Sequence, residues 1–218
     1  MITDKIVRFS PKQRRVLTWW LQDDWEAIIC DGAVRSGKTF SMGLSFILWA
    51  QANFDGRQFG LCGKTIVSLR RNLLADLLPY LRGLGMLCRE KRGENMLIVR
   101  FNGHENRFLL FGGRDESSAA LIQGSTLAGV LLDETALMPR SFVEQAVARC
   151  SVQGSRLWFS CNPDKINKLC GNPFIKNHIQ YADPDRCGFL PEPFAKTPFA
   201  PGGSVLYRFL SIRHTKCG

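Results

Sequence analysis

Acidic side chains are in short supply: 19 Asp and Glu stand against 29 Lys and Arg, for a net charge of +10. A domain with a pI near 9.5 carries a field that attracts polyanions. Nucleic acid therefore enters as a partner class, beside the plainer reading of a solubilising surface. Long apolar runs are missing, so nothing here spans a bilayer, and Met1–Ser10 lacks the apolar stretch that directs secretion. The expectation is a folded cytoplasmic protein with no membrane association. The eight cysteines contain no C-x-x-C pair, which weakens both a metal site and a disulfide framework. Cys30, Cys62, Cys150 and Cys161 lie in or beside apolar segments and read as structural thiols of a reducing compartment. No internal repeat is present, no base-reading motif, and no N-K-x-D sequence of the kind that recognises a guanine base.

What is present suits one α/β domain. The 218 residues are 45% apolar and 22% charged, close to the globular average, and suffice for a core. Short β-forming runs, Glu26–Cys30, Phe59–Gly63, Val130–Leu132 and Leu157–Phe159, alternate with helical patterns over Lys38–Ala50, Ile66–Leu81 and Ser141–Arg149, the last with Ser141 placed to cap. Such alternation predicts crossover units and a mainly parallel sheet flanked by helices. Met96–Phe101 and Arg107–Phe111 interrupt it: joined through Asn102-Gly103, they predict an inserted antiparallel hairpin. After about Asn172 the composition shifts, with six of ten prolines in the last 48 residues. That segment reads as an irregular tail in which Phe174–Ile179 and Ser204–Leu210 add at most a short strand or helix.

Gly32-Ala33-Val34-Arg35-Ser36-Gly37-Lys38-Thr39 matches G-x-x-x-x-G-K-[S/T], following a strand and opening a helix, which is the context the phosphate loop requires. Its glycines let backbone N–H groups face phosphates, and the helix N-terminus adds positive potential at the same point. Lys38 is expected to reach the β- and γ-phosphates of ATP, and the Thr39 hydroxyl to take one position on Mg²⁺. Arg35, inside the loop, is a candidate to offset charge on the γ-phosphate, against the alternative of a solvated loop arginine. Leu127–Leu132 ends in Asp133-Glu134. Strand alternation would send these carboxylates to opposite sides, Asp133 toward the metal and Glu134 toward the attacking water as general base.

Together these segments resemble phage terminase large subunits of the PBSX-like kind, over roughly residues 9 to 165. The resemblance rests on Ile28–Thr39, Phe59–Leu74 with Gly63-Lys64-Thr65, Gly112–Ser118, Ile122-Gln123-Gly124, Leu132-Asp133-Glu134 with Met138-Pro139, and Ser160-Cys161-Asn162-Pro163. It implies an ASCE-type P-loop ATPase domain over residues 1–170, in a motor that pushes double-stranded DNA into a capsid. It also implies a homo-oligomeric ring on the portal protein, a terminase small subunit as partner, and a place in the host bacterial cytoplasm, transiently at the procapsid portal. Phe9–Gln13 resembles the adenine-contact segment, with Gln13 as the base ligand; the same residues also read as a helix start with Pro11 first. Ser160-Cys161-Asn162 resembles the coupling motif, with Asn162 sensing the γ-phosphate. Arg114 or Arg149 is the arginine supplied in trans, with Arg114 preferred because it follows Gly112-Gly113 in a loop. Lys12-Arg14-Arg15, Arg70-Arg71 and Arg89-Glu90-Lys91-Arg92 are candidate DNA contacts.

The resemblance breaks where Pro163-Asp164-Lys165-Ile166-Asn167 replaces a His-Trp pair. In residues 171–218 the only acids are Asp183, Asp185 and Glu192, too few for the two-metal nuclease that normally follows. No nuclease activity is expected of this chain, although a full-length form would cut DNA. A helicase-like P-loop ATPase, a small-molecule kinase and a non-catalytic remnant that binds nucleotide or DNA stay open as alternatives.

Overall fold

A computed structural model describes residues 9–21, 25–32, 36–161, 179–181 and 209–214, with side chains described within 9–21, 25–30 and 36–161. The strands are β1 (Ala27–Gly32), β2 (Gln58–Gly63), β3 (Leu87–Lys91), β4 (Met96–Phe101), β5 (His104–Gly112), β6 (Gly129–Leu132), β7 (Arg156–Cys161), β8 (Ile179–Tyr181) and β9 (Phe209–His214). They form one sheet in the order β3-β4-β5-β2-β6-β7-β1-β9-β8. From β5 to β8 every neighbouring pair is parallel, and β3, β4 and β5 are antiparallel. The expected ASCE-type α/β architecture is thus present: β7 lies between the phosphate-loop strand β1 and the acid-tipped strand β6.

Helices cover both faces, which is why the central strands are apolar on both sides. Ile28, Cys30, Leu61, Leu131 and Trp158 pack toward α2 (Lys38–Asn53) and its neighbours α1 (Pro11–Thr18) and α4 (Ala75–Gly83). Ala27, Ile29, Cys62, Val130, Leu132, Leu157 and Phe159 pack on the other face with Phe142, Val143, Ala146 and Val147 of α6 (Arg140–Ala148). Because α2 lies between the sheet and α1 and α4, even its Ser41, Ser45 and Gln51 are buried. An aromatic cluster fills its outer half: Phe46, Trp49, Phe59, Phe108 and Trp158 meet ring to ring with centroids 4.9–5.9 Å apart. Gly129 exists because of that cluster, since a Cβ there would lie 2.7 Å from the Trp49 ring and 2.8 Å from the Arg156 carbonyl.

The predicted hairpin is β4–β5, turning on Asn102 and Gly103 at φ 50° and 86°, the positive values a two-residue turn of this hand needs. Several expectations need correction. The hairpin gains a third strand, β3, whose sequence Leu-Cys-Arg-Glu-Lys reads as a charge cluster because an edge strand has one solvated side. The helix expected over Ile66–Leu81 is interrupted. α3 (Ile66–Leu69) runs through a π turn at Arg70–Leu74 into α4, and the extra residue keeps Leu69, Leu73, Leu74, Leu77, Leu78 and Leu81 all buried. α6 begins one residue earlier than expected, with Pro139 at its N-cap and no side-chain cap; the Ser141 hydroxyl donates instead to the Glu116 carboxylate. The tail, expected to add at most a short strand or helix, contributes the two short strands β8 and β9, each overlapping one of the two segments named for it, and β9 lies directly beside β1. Among the described residues, no helix is long and apolar enough to cross a membrane. Cys30, Cys62, Cys150 and Cys161 are buried thiols, as expected; burial pushes the Cys62 and Cys150 thiols well above their usual range.

Candidate functional site

The carboxyl ends of β1, β6 and β7 lie side by side, so three segments remote in sequence deliver side chains to one place. After β1, Gly37 takes φ +75° and starts α2. A side chain here would incur the left-handed penalty, and a Cβ would also come within 2.7 Å of the Gln13 amide nitrogen. Lys38, on the first turn of α2 and 7% exposed, reaches across to the end of β7 and donates to the Cys161 carbonyl at 2.8 Å. Thr39 donates its hydroxyl to Asp133 Oδ1 at 3.0 Å, joining the first turn of α2 to the residue that follows β6.

Asp133 is 5% exposed. Its Oδ1 also accepts from Ser160 Oγ at 2.6 Å, and Ser160 Oγ in turn accepts from the Glu134 backbone N–H at 3.0 Å. One buried hydroxyl on the intervening strand therefore fixes both halves of the acidic pair. Strand alternation does not extend to this pair, because β6 ends at Leu132 and Glu134 sits in the left-handed region at φ 56° and ψ 45°. Its direction is set by that turn, held by Ser160, rather than by the pleat. Non-glycine residues adopt this conformation at a cost of about 1–2 kcal/mol, and it is retained here where the site requires it.

Gln13 performs the helix-start role and another besides. Ser10 caps α1, Pro11 is the first helical residue, and Gln13 Oε1 accepts from the Ser10 N–H at 2.9 Å to complete a capping box. Its Nε2 donates to the Ser36 carbonyl at 3.3 Å, tying α1 to the phosphate loop.

The loop after β5 is anchored at its start, where the Gly113 N–H donates to the Gly63 carbonyl at 2.9 Å. Arg114 follows, with an exposed side chain and its N–H on Ser118 Oγ at 3.2 Å. Asp115 caps the next turn, and the Ser117 and Ser118 hydroxyls hold its carboxyl below the usual range. Arg149 ends α6 at the other edge of the sheet, its carbonyl accepting from Leu127 just before β6 begins. Of the two arginine candidates, Arg114 is therefore on the same rim as Asp133. Among the basic clusters, Arg70 is engaged internally: it pairs with Glu90 at 2.7 Å and also bonds Asn95 and the Arg92 carbonyl. Arg14, Arg15, Arg71, Arg89 and Arg92 are exposed.

Ala33, Val34, Arg35 and Asn162 lie outside the described residues, and of Gly32 only the backbone is described, at the end of β1. The residues brought together are thus Gln13, Ser36, Gly37, Lys38, Thr39, Asp133 and Glu134. Sequence reasoning places Ser160 in a motif without showing that it bridges the acidic pair. It likewise places Lys64 in the Gly63-Lys64-Thr65 segment without a role, whereas its ammonium donates to the carbonyls of Arg114 at 2.7 Å and Leu137 at 3.0 Å.

Solved structures similar to this chain include large terminases. The large terminase of a thermophilic bacteriophage is 47% identical, with a TM-score of 0.70, over 76% of this chain and 44% of that one. The chain belongs to the large terminase family, through its ATPase domain. The same phage's terminase in complex with ATP-gamma-S matches at 45% identity and a TM-score of 0.67, over 76% of this chain and 43% of that one. A variant of the Thermus phage P74-26 large terminase ATPase domain shares the fold, at 15% identity and a TM-score of 0.60, over 91% of this chain and 80% of that one. This chain thus spans less than half the length of the thermophilic phage's terminase. No protein-family model and no curated protein matches it.

Proposed function

We propose that this chain binds ATP at the carboxyl edge of its sheet and hydrolyses it, as the ATPase part of a motor that moves double-stranded DNA into a viral capsid. The observation that carries the reading is the approach of Thr39 Oγ1 to Asp133 Oδ1, 3.0 Å apart across 94 residues of sequence, beside the buried Lys38 ammonium. A hydroxyl and a carboxylate converging on one point match the oxygen donors that Mg²⁺ prefers, and Thr39 and Asp133 are the residues that would hold it. When bound, the ion neutralises charge on the phosphate oxygens.

Lys38 exchanges its carbonyl partner for the β- and γ-phosphates, and the amides of Gly32–Thr39 cradle them. Glu134 takes a proton from the water whose oxygen attacks the γ-phosphorus, as the bond to the ADP oxygen breaks. Arg35 and, from a neighbouring subunit, Arg114 offset the charge that builds on the departing phosphoryl group. Gln13, already at the edge of the loop, takes the adenine. Asn162, following β7, senses the γ-phosphate and passes its loss onward. Exposed Arg14, Arg15, Arg71, Arg89 and Arg92 are available to DNA phosphates, which makes affinity fall steeply with salt. The ring on the portal protein, the terminase small subunit, the procapsid location in the host cytoplasm and the PBSX-like branch belong to the same proposal and rest on the likeness to terminases.

Paired substitutions test the roles. Lys38→Ala is expected to abolish binding of magnesium ATP in calorimetry, whereas Glu134→Gln keeps the affinity and stops turnover. Equal loss of binding in both variants contradicts the assignment. Turnover that responds to a metabolite instead of DNA and portal points to a kinase.

A further inference from the structure

β2 lies between β5 and β6, so the residue that follows Gly63 emerges between the loops leaving those two neighbours. Lys64 occupies that position. Its ammonium is half-buried and donates to one carbonyl on each side: Arg114, in the loop after β5, and Leu137, in the helical turn Thr135–Leu137 that begins directly after Glu134. Among the described residues Lys64 forms no ion pair, so both bonds recorded for its charge go to main-chain oxygens of these two segments. Hydrogen bonds from a charged donor are about twice as strong as neutral ones.

Each loop also has a backbone anchor of its own on β2. The Gly113 N–H donates to the Gly63 carbonyl at 2.9 Å and the Asp133 N–H to the Cys62 carbonyl at 2.8 Å. Those anchors fix where the two loops start. The lysine acts further along, past Gly113 in one segment and past Glu134 in the other, where no β-ladder continues. It is therefore suited to set the loops relative to one another without being needed for the sheet.

We infer that Lys64 is a positioning residue that ties the arginine-bearing loop 113–118 to the turn of Glu134, so that the two are set as a unit. This rests on the proposal that Glu134 serves ATP hydrolysis. The consequence is that the arginine a subunit presents on its surface depends on the setting of its own glutamate turn, because one ammonium group holds both main chains.

The test compares the full chain with Lys64→Met, which keeps the length and apolar stem but cannot donate, and with Lys64→Arg, which can. Lys64→Met is expected to lower kcat about tenfold with KM for ATP within about twofold. Amide hydrogen exchange should rise in both 113–118 and 134–138 and stay unchanged in the sheet. Lys64→Arg is expected to restore most of the rate and the protection. An unchanged kcat in Lys64→Met, faster exchange in only one of the two segments, or faster exchange throughout the molecule would each overturn the inference. Lys64→Gln, uncharged and too short to reach both carbonyls, is read by the same criteria where Lys64→Met does not fold. A wild-type chain that turns over no ATP defeats the hydrolysis proposal, and the two-segment exchange result then still decides whether Lys64 joins the loops.

Discussion

Replacing Ser160 by alanine removes a single oxygen atom, 1% exposed as a residue, and two hydrogen bonds with it. The bond it donates to Asp133 Oδ1 at 2.6 Å has a charged acceptor and is worth about 1.5–3 kcal/mol. The bond it accepts from the Glu134 N–H at 3.0 Å is neutral and contributes about 0.5–1.5 kcal/mol. Asp133 keeps the Thr39 hydroxyl, so the lower half of the combined range, about 2–3 kcal/mol, is the better estimate. For a chain of this size that corresponds to a melting midpoint lower by roughly 4–12 °C. The effect on turnover has a separate origin. Glu134 sits in the left-handed region at φ 56°, which disfavours a side chain by about 1–2 kcal/mol. Without the hydroxyl that holds its N–H, the turn relaxes and the carboxylate leaves its setting. A barrier higher by about 1.4–2.7 kcal/mol is a 10- to 100-fold loss in kcat. Thermal denaturation and steady-state ATP hydrolysis on Ser160→Ala separate the two effects. A lowered midpoint with wild-type kcat shows that the Glu134 turn does not need the strand-borne hydroxyl. Wild-type values for both refute the hydrogen bonding described here.

Gly129→Ala should destabilise the core by about 2–3 kcal/mol through overpacking, because its Cβ meets the Trp49 ring at 2.7 Å and a main-chain oxygen at 2.8 Å; denaturant titration with an unchanged slope checks it, and a midpoint equal to wild type counts against the packing. If Arg114 acts in trans, mixing Arg114→Ala subunits with wild type depresses ring turnover more than in proportion to the fraction of variant. A strictly proportional response in that titration removes Arg114 from the role. Raising salt from about 50 to 200 mM is expected to weaken DNA binding by orders of magnitude, measured by fluorescence anisotropy, and a flat response excludes grip through the phosphates.

Those features of the fold that depend on local pattern are legible in the sequence. The glycine-lysine-threonine corner before α2, the apolar run ending in Asp133-Glu134 and the Asn102-Gly103 turn each impose a backbone geometry through a few adjacent residues, and each appears where the pattern puts it. The illegible parts depend on neighbours far away in sequence. Leu87–Lys91 carries charges suited to solvent, and only pairing with β4 makes it a strand. The π turn at Arg70–Leu74 keeps six leucines on one buried side, a requirement set by the α2 surface and not by the segment's own spacing. Lys64 and Ser160 look ordinary in sequence because their partners include main-chain groups, which carry no residue signature. Alternation does not extend to Glu134 for a related reason: it holds only while the ladder continues, and β6 ends at Leu132.

Because β7 is interposed between β1 and β6, the site draws on contacts separated by 94 and 123 positions along the chain. During synthesis, a ribosome adding about 5–20 residues per second needs roughly 6–25 s after Thr39 has been made to reach Cys161. Until then a nascent chain carries the glycine corner without the floor against which Lys38 rests. Cellular nucleotide, at whatever concentration, then has nothing preformed to capture and cannot act as a template for early folding. On the proposed ATP-binding role, stabilisation by nucleotide comes only after β1, β6 and β7 have been brought together.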